Sequence, residues 1–344
     1  MPITTISLLS FLLSLIIVLG FGSKIIKLSE KMGLINIPLQ SKHNINPQKT
    51  PLAGGLLILL SLISTIILSL FVSKEVKINS FTIELFAPAL IILIFGIWDD
   101  FVGLSAPVKL FGQCLATILF IVMGNSVNIF AEEWLNISLT IFWLVGITNS
   151  FNLIDSREGI VTGISINTLI VLTIASVISN QLSIAFVSIS LLGTCLGLTY
   201  FNSIPGKTFL GDSGAQTLGF LTAALAMTYN PQGYQQSASW FLPILLFAVP
   251  IFDTTFIVIT RLVNGQHIFK GDTNHTYHRL SRILQSDQDA VNLMILTSVI
   301  FDIGAFLLLE INNILSSILF TVFILLALCA GIQLVKHDPG NPNR

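Results

Sequence analysis

Charge is what this sequence has least of. Only 10% of its 344 residues are Asp, Glu, Lys or Arg, against about 25% in an ordinary soluble domain. With 53% hydrophobic residues and a mean hydropathy of +0.87, the polar residues are too few to cover a water-facing surface, which excludes a soluble globular fold. A basic excess is also missing: 16 Lys and Arg stand against 17 Asp and Glu. A general nucleic-acid binder needs a basic surface, so nucleic acid is excluded as a partner. Cysteine is scarce, and Cys114, Cys195 and Cys329 fall inside apolar runs without paired spacing. That excludes a disulfide scaffold and suggests no zinc site. The first apolar run has neither a basic residue before it nor a small-residue cleavage site, so it reads as a retained span and not as a signal peptide.

What the chain does have is apolar runs of membrane-crossing length, about eleven of them: 3–22, 52–72, 81–98, 106–124, 136–151, 160–179, 181–200, 212–228, 239–260, 291–309 and 312–334. At about 20 residues per span they use roughly 220 residues, leaving short connections and no separate soluble domain. The expectation is an all-α polytopic membrane protein with about 11 transmembrane helices, forming one integral membrane domain over residues 1–344. Any binding or catalytic apparatus must then be built from span ends and loops. With the N-terminus outside and the C-terminus inside, 14 of the 16 Lys and Arg fall on inward segments and only Lys74 and Lys77 fall outside. This is the asymmetry expected of a cytoplasmic side.

The acids sort the same way. Asp99, Asp100, Asp155, Glu158, Asp212, Asp253 and Asp272 map to inward span ends or loops, whereas Glu75, Glu84, Glu132, Glu133 and Glu310 map outside with no polar motif around them. A charge at the bilayer centre costs about 2.5–3.5 kcal/mol on insertion scales. Topology therefore accounts for acids at span ends, but not for their gathering on one side.

Four segments hold the inward polar residues. In GIWDDFVGLSAPVKL, Asp99 and Asp100 close the third span and Lys109 opens the fourth. Adjacent carboxylates repel unless a cation or hydrogen bonds offset them. The pair is either a solvated loop end or a device that takes a proton from a phosphate or positions a metal-bound one, with Lys109 as phosphate partner. In NSFNLIDSREGI, Asn149, Asn152 and Asp155 recur every third residue and lie near one helix face. Their oxygens suit Mg2+; the alternative is capping by Asp155, though three such groups exceed what a cap needs. In FNSIPGKTFLGDSGAQTLGF, Gly211, Asp212, Ser213 and Gly214 open a span, where free amides attract phosphate while Asp212 is placed to hold a cation. Lys207 nearby adds positive charge or is one more inward-facing topological residue. The fourth segment, VPIFDTTFIVITRLVNGQHIFKGDTNHTYHRL, holds Arg261, His267, Asp272, His275, His278 and Arg279. His275 and His278 lack a cysteine or third close ligand for zinc, and Arg, His and Lys beside carboxylates fit a diphosphate better.

Together these segments resemble the polyprenyl-phosphate N-acetylhexosamine-1-phosphate transferase family, from MGLINIPLQSKH and TPLAGGL through to HTYHRL, in the family's order. Members attach a sugar-1-phosphate from a UDP-sugar to a polyprenyl phosphate such as undecaprenyl phosphate, releasing UMP, with Mg2+. The resemblance implies that Asp99 and Asp100 are the family's Asp-Asp pair, which deprotonates or positions the lipid phosphate, and that Lys109 binds phosphate. It implies metal ligation by Asn152 and Asp212, with Mn2+ as a substitute for Mg2+, ordering of that site by Asp155, and a uracil contact by Glu158. His275 and His278 match the outer histidines of a His-x-His-His motif near the diphosphate, Arg261 matches the second of a paired arginine, and Lys207 joins the substrate-binding set. The chain departs from the pattern at Ser156 and Glu158, where glycine and aspartate are usual, and at Asn36, Ser41, Thr260 and Tyr277.

With the core acids and outer histidines intact, an active enzyme is expected at the cytoplasmic face of the plasma membrane. Its substrate would be UDP-GlcNAc or a related UDP-HexNAc, its product would initiate a cell-wall or surface glycan, and a homodimer stays open. Two other classes compete. A secondary transporter would place ionisable groups near the bilayer midplane, with broken spans in matched halves. An inactive homologue would serve as a scaffold.

Overall fold

The computed structural model describes residues 3–36, 49–70, 78–204, 207–230, 236–267, 275–309, 311 and 313–338. Ser41, Lys42, Lys74, Glu75, Lys77, Lys270, Asp272, Glu310 and Arg344 lie outside the described residues. The chain forms two compact units, Met1–Tyr229 and Asn230–Arg344.

In the first unit the helices are α1 (Ile3–Met32), α2 (Gly54–Leu70), α3 (Ile78–Val102), α4 (Ala106–Val122), α5 (Glu133–Ile154), α6 (Ile160–Ile178), α7 (Leu182–Asn202) and α8 (Gly211–Thr228). The helix α1 outruns its predicted apolar run by ten residues. The SKIIKLSEK segment there is rich in strong helix formers and still places Ile26 and Ser29 inward. Buried along almost its whole length, α8 packs against α2, α3, α5, α6 and α7. It can be central because its neighbours carry little bulk. A Cβ at Gly96 would lie 2.4 Å from the Cα of Ser213, so α3 and α8 cross almost backbone to backbone one turn before Asp99. Direct hydroxyl pairs join α1 and α2 to α7: Ser14 with Ser190 at 2.7 Å, Ser61 with Thr194, and Thr65 with Ser190.

A small ledge borders this bundle. Strands β1 (Ile35–Asn36) and β2 (Thr50–Pro51) pair antiparallel, and Leu52 bridges to Phe209. The Thr208 hydroxyl donates to the Pro51 carbonyl at 2.9 Å and accepts the Ala53 N–H at 3.2 Å. The TPLAGGL segment is thereby tied to the chain that leads into α8.

The second unit holds α9 (Gln236–Leu246), α10 (Ala248–Val263), α11 (Thr276–Leu284), α12 (Asp287–Leu309) and α13 (Asn313–His337). The run expected as one span at 239–260 is two helices interrupted at Phe247. Pro250 supplies the reason, because it has no N–H to give the Leu246 carbonyl and its ring crowds that turn. Short, amphipathic α11 had no apolar run to announce it.

Each predicted apolar run is, among the described residues, occupied largely by helix. Among the described residues, seven helices are long and apolar enough to cross a bilayer, and α2 and α4 are shorter apolar helices. Exposed Ile16, Ile94, Phe142 and Leu326 would be a liability in water and suit a lipid-facing surface. The protein is an all-α, multi-pass membrane protein.

Candidate active site

Six helix ends of the first unit converge: the C-terminal ends of α3, α5 and α7 and the N-terminal ends of α4, α6 and α8. Asp99 and Asp100 sit in the last turn of α3, and Gly103, with φ +67, ends that helix by donating to the Asp99 carbonyl at 2.8 Å. Pro107 at the start of α4 needs no N–H partner there, and Lys109 follows on the first turn.

The two neighbouring aspartates turn in different directions. Asp100 faces the start of α8. Its Oδ1 accepts the Asp212 N–H at 2.7 Å, and its Oδ2 accepts the Ser213 N–H at 3.2 Å and the Ser213 hydroxyl at 2.5 Å. The α8 amides that the sequence offered to a phosphate are therefore occupied by Asp100. Gly211, with φ +74, makes this approach feasible: a Cβ there would lie 2.9 Å from Asp100 Oδ2. Asp99 is buried; its Oδ1 accepts the Leu104 N–H at 2.6 Å while Oδ2 pairs with the Lys109 ammonium. Lys109 Nζ also donates to Asp212 Oδ2 at 2.7 Å. One lysine thus bridges an acid of α3 to the acid of α8, where two bare carboxylates would repel.

Asn152, in the last turn of α5, has its side chain beside that of Asp212. Its buried Oδ1 has no partner among the described residues. Asp155 caps α5. Burial, then the charges of Asp212, Asp100 and Glu158, hold its carboxyl well above the usual carboxylate range. A cavity of about 300 Å³ opens beside these groups, walled by Asp100, Asp155, Glu158 and Asp212 and edged by Asn36, Leu52, Asn202 and Phe209. Arg157, also on the wall, lies 3.4 Å from Glu158 Oε2 through its Nε.

The donor set fits a small hard cation. Asn152 Oδ1 is an orphaned buried oxygen beside the carboxylate of Asp212, and one or two protein ligands completed by substrate phosphates is the usual protein share of a Mg2+ site. Among the described residues no group of three or more His, Cys, Asp and Glu side chains is close enough to hold a metal alone.

Of the predicted site residues, the first unit brings together Asp99, Asp100, Lys109, Asn152, Asp155, Glu158 and Asp212. Lys207 does not join them: among the described residues it forms no ion pair, and it is not on the cavity wall. Arg261, His275 and His278 belong to the second unit. Arg261 is buried in the last turn of α10. His275 precedes α11, with its Nδ1 3.0 Å from Asp253 Oδ2. His278 is half-buried; desolvation, then the charges of His275 and Arg282, hold its imidazole below the usual range. Arg279 and Arg282, neighbours in the same cluster, both donate to Asp338, at 3.1 Å for Arg279 Nη1 and 2.8 Å for Arg282 Nε, and Arg279 also lies over the Phe256 ring. Sequence reasoning assigned no role to Asn202, Asp253 or Asp338, nor to the hydroxyl of Ser213. Asn202 and Asp338 follow the same rule as the residues it did assign, a polar group at the end of an apolar run.

A multi-pass helical protein with acids, an amide and a lysine concentrated at one end of a helical unit is the class that fold and site define. Residues 81–230, which span α3 to α8 and hold the whole acidic cluster, match the glycosyl transferase family 4 model. Over 97% of this chain and 92% of the relative, it is 31% identical to a Bacillus subtilis protein named probable undecaprenyl-phosphate N-acetylglucosaminyl 1-phosphate transferase. A phospho-N-acetylmuramoyl-pentapeptide-transferase of Halalkalibacterium halodurans is 31% identical over 67% of the chain and 75% of its own length. A decaprenyl-phosphate N-acetylglucosaminephosphotransferase of Mycobacterium tuberculosis is 27% identical over 81% and 76%. The chain belongs to the polyprenyl-phosphate N-acetylhexosamine-1-phosphate transferase family.

Proposed function

We propose that this protein transfers a sugar-1-phosphate, GlcNAc-1-phosphate in the first instance, from a UDP-sugar to a polyprenyl phosphate such as undecaprenyl phosphate, releasing UMP and initiating a cell-wall or surface glycan. The observation that carries this reading is the meeting of Asp99, Asp100, Lys109, Asn152 and Asp212 at one end of the first unit, inside the segment that matches the family. GlcNAc is favoured because the relative aligned over 97% of the chain is named for it. The reaction would run on the cytoplasmic face of the plasma membrane, in a single integral membrane enzyme with N-terminus out and C-terminus in.

In this reaction an oxygen of the lipid phosphate attacks the phosphorus that bears the sugar. The bond from that phosphorus to the bridging oxygen breaks, and UMP leaves with the electron pair. Such transfer depends mainly on positioning and charge neutralisation. Asn152 Oδ1 and Asp212 would hold Mg2+, or Mn2+ in its place. When bound, the metal supplies neutralisation of the diphosphate charge. Asp100 holds Asp212 at the start of α8, and Asp99 holds Lys109, whose ammonium binds phosphate. Because a phosphate monoester loses its last proton near pH 6, a base adds little, and Asp99 acts chiefly by orienting Lys109. Asp155 orders the metal side of the cavity and Glu158 contacts the uracil. Arg261, His275 and His278 supply positive or hydrogen-bonding groups to the nucleotide sugar, and Lys207, which is not on the cavity wall, is left out of that set.

One observation favours a second reading, transport. Asp302 is buried within α12, and neither of its oxygens meets a donor among the described residues; isolated intramembrane acids often mark ion paths. One assay separates the two: membranes supplied with labelled UDP-GlcNAc and undecaprenyl phosphate. Lipid labelling should need Mg2+, vanish with a chelator, return with added metal and fall at least about a hundredfold in Asp212→Ala, while Asp302→Asn labels normally. Undiminished labelling by Asp212→Ala would sink the metal assignment. Failure of the wild type to label lipid from any UDP-sugar would sink the reaction.

A further inference from the structure

Asp253, on α10, is 1% exposed and His275 is 9% exposed. The carboxylate grips the start of α11 with both oxygens: Oδ1 accepts the Thr276 N–H at 2.7 Å, and Oδ2 lies 3.0 Å from Nδ1 of His275. An ionised carboxylate can only accept. The imidazole nitrogen facing it must therefore be the one that carries hydrogen, as for histidines held by a carboxylate in other active sites. Nε2 is left as the nitrogen with chemistry to offer, a lone pair in the neutral ring and an N–H donor in the imidazolium. The other end of α11 is fixed as well, since Arg282 donates to Asp338 at 2.8 Å through both Nε and Nη2. The helix that begins beside His275 is thus held at its first and last turns.

We propose that Asp253 is the positioning residue of His275: it fixes Nδ1 as the protonated nitrogen, presents Nε2 to an anionic oxygen of the diphosphate substrate, and balances the imidazolium formed when Nε2 carries a proton. This rests on the reading that His275 serves the diphosphate. Asp253 touches neither substrate nor metal in this assignment and acts through the ring. The same carboxylate caps α11, so a merely structural role has to be separated from a tautomer-setting one.

Asp253→Asn makes that separation. The amide oxygen still accepts from Thr276, which keeps the cap. The amide NH2 now faces Nδ1, which must become an acceptor, so the proton moves to Nε2. In full-length protein with 15N-labelled histidine, and with His275→Gln to assign the signal among the five histidines, the wild type at alkaline pH should show protonated Nδ1 and bare Nε2. Asp253→Asn should show the reverse, with a thermal melting temperature close to wild type and a kcat for lipid labelling from UDP-GlcNAc lowered by about 10²- to 10⁴-fold. A wild-type His275 with unprotonated Nδ1 overturns the inference, as does wild-type kcat in a variant whose tautomer has reversed. If Asp253→Asn does not fold, the wild-type spectrum alone decides the pairing. The two readings fail separately, because the spectra need no substrate: a wild type that labels no lipid defeats the proposed function, and the spectra still test the bond between Asp253 and His275.

Discussion

Asp99 and Asp100 are adjacent in sequence and engaged in different tasks. Successive residues of a helix point about 100° apart, so one carboxylate faces Lys109 and the Leu104 N–H while the other faces the first turn of α8. Lys109 is the residue on which the cluster's charge balance turns. Lys109→Met leaves Asp99, whose side chain is 2% exposed, as a buried charge without its cation. Breaking such a pair costs about 3–5 kcal/mol, and the share from Asp212 is smaller because its side chain is 38% exposed. Thermal denaturation in detergent should show a large loss for Lys109→Met and partial recovery when Asp99→Asn is added, since the neutral amide no longer needs a cation. Transfer should be lost in both. Asp99, Asp100, Lys109, Asn152, Asp155 and Asp212 were all legible in the sequence, because charged and amide groups at the ends of apolar spans are costly and stand out. Which of them touch was not legible. Asp253 and Asp338 show the limit most clearly: their partners lie 22 to 59 residues away, and spacing says nothing about pairs brought together by helix packing.

At the scale of elements, the start of α8 is the most constrained place in the first unit. Gly211 adopts φ +74 and lies against Asp100, where a Cβ would be 2.9 Å from the carboxylate. Gly211→Ala should therefore cost more than the roughly 1–2 kcal/mol of a left-handed residue. It should also push Asp100 off the Asp212 and Ser213 amides, lowering transfer together with melting temperature. Retention of both would show that Asp100 does not hold this turn. The helices themselves were readable from apolar run length, and α1, α9 and α10 differ for local reasons, a helix-forming extension in the first and Pro250 in the others. The ledge of β1, β2 and the Leu52 to Phe209 bridge was not readable. Two-residue strands have no periodicity, and their partners come from three separate parts of the chain.

At the scale of the whole molecule, the arrangement of Lys and Arg makes a prediction of its own. If 14 of 16 lie inside, fluorescent protein fused after the last residue should mature and fluoresce, whereas alkaline phosphatase fused there should stay inactive. The opposite pair of results would reverse the orientation. Sequence by itself determined the solvent, the helical class and the family. Scarce charge cannot cover a water-facing surface, runs of about 20 apolar residues must satisfy their own backbone in lipid, and four motifs in one order identify the relatives. Only tertiary structure decided how the scarce charges are used. It turned Asp100 onto the amides expected to meet phosphate, set Lys109 between two acids, left the Asn152 oxygen without a partner among the described residues beside Asp212, and gave His275 to Asp253. Those outcomes depend on which helix ends meet, and that is fixed by close crossings such as Gly96 on Ser213, which no local pattern encodes.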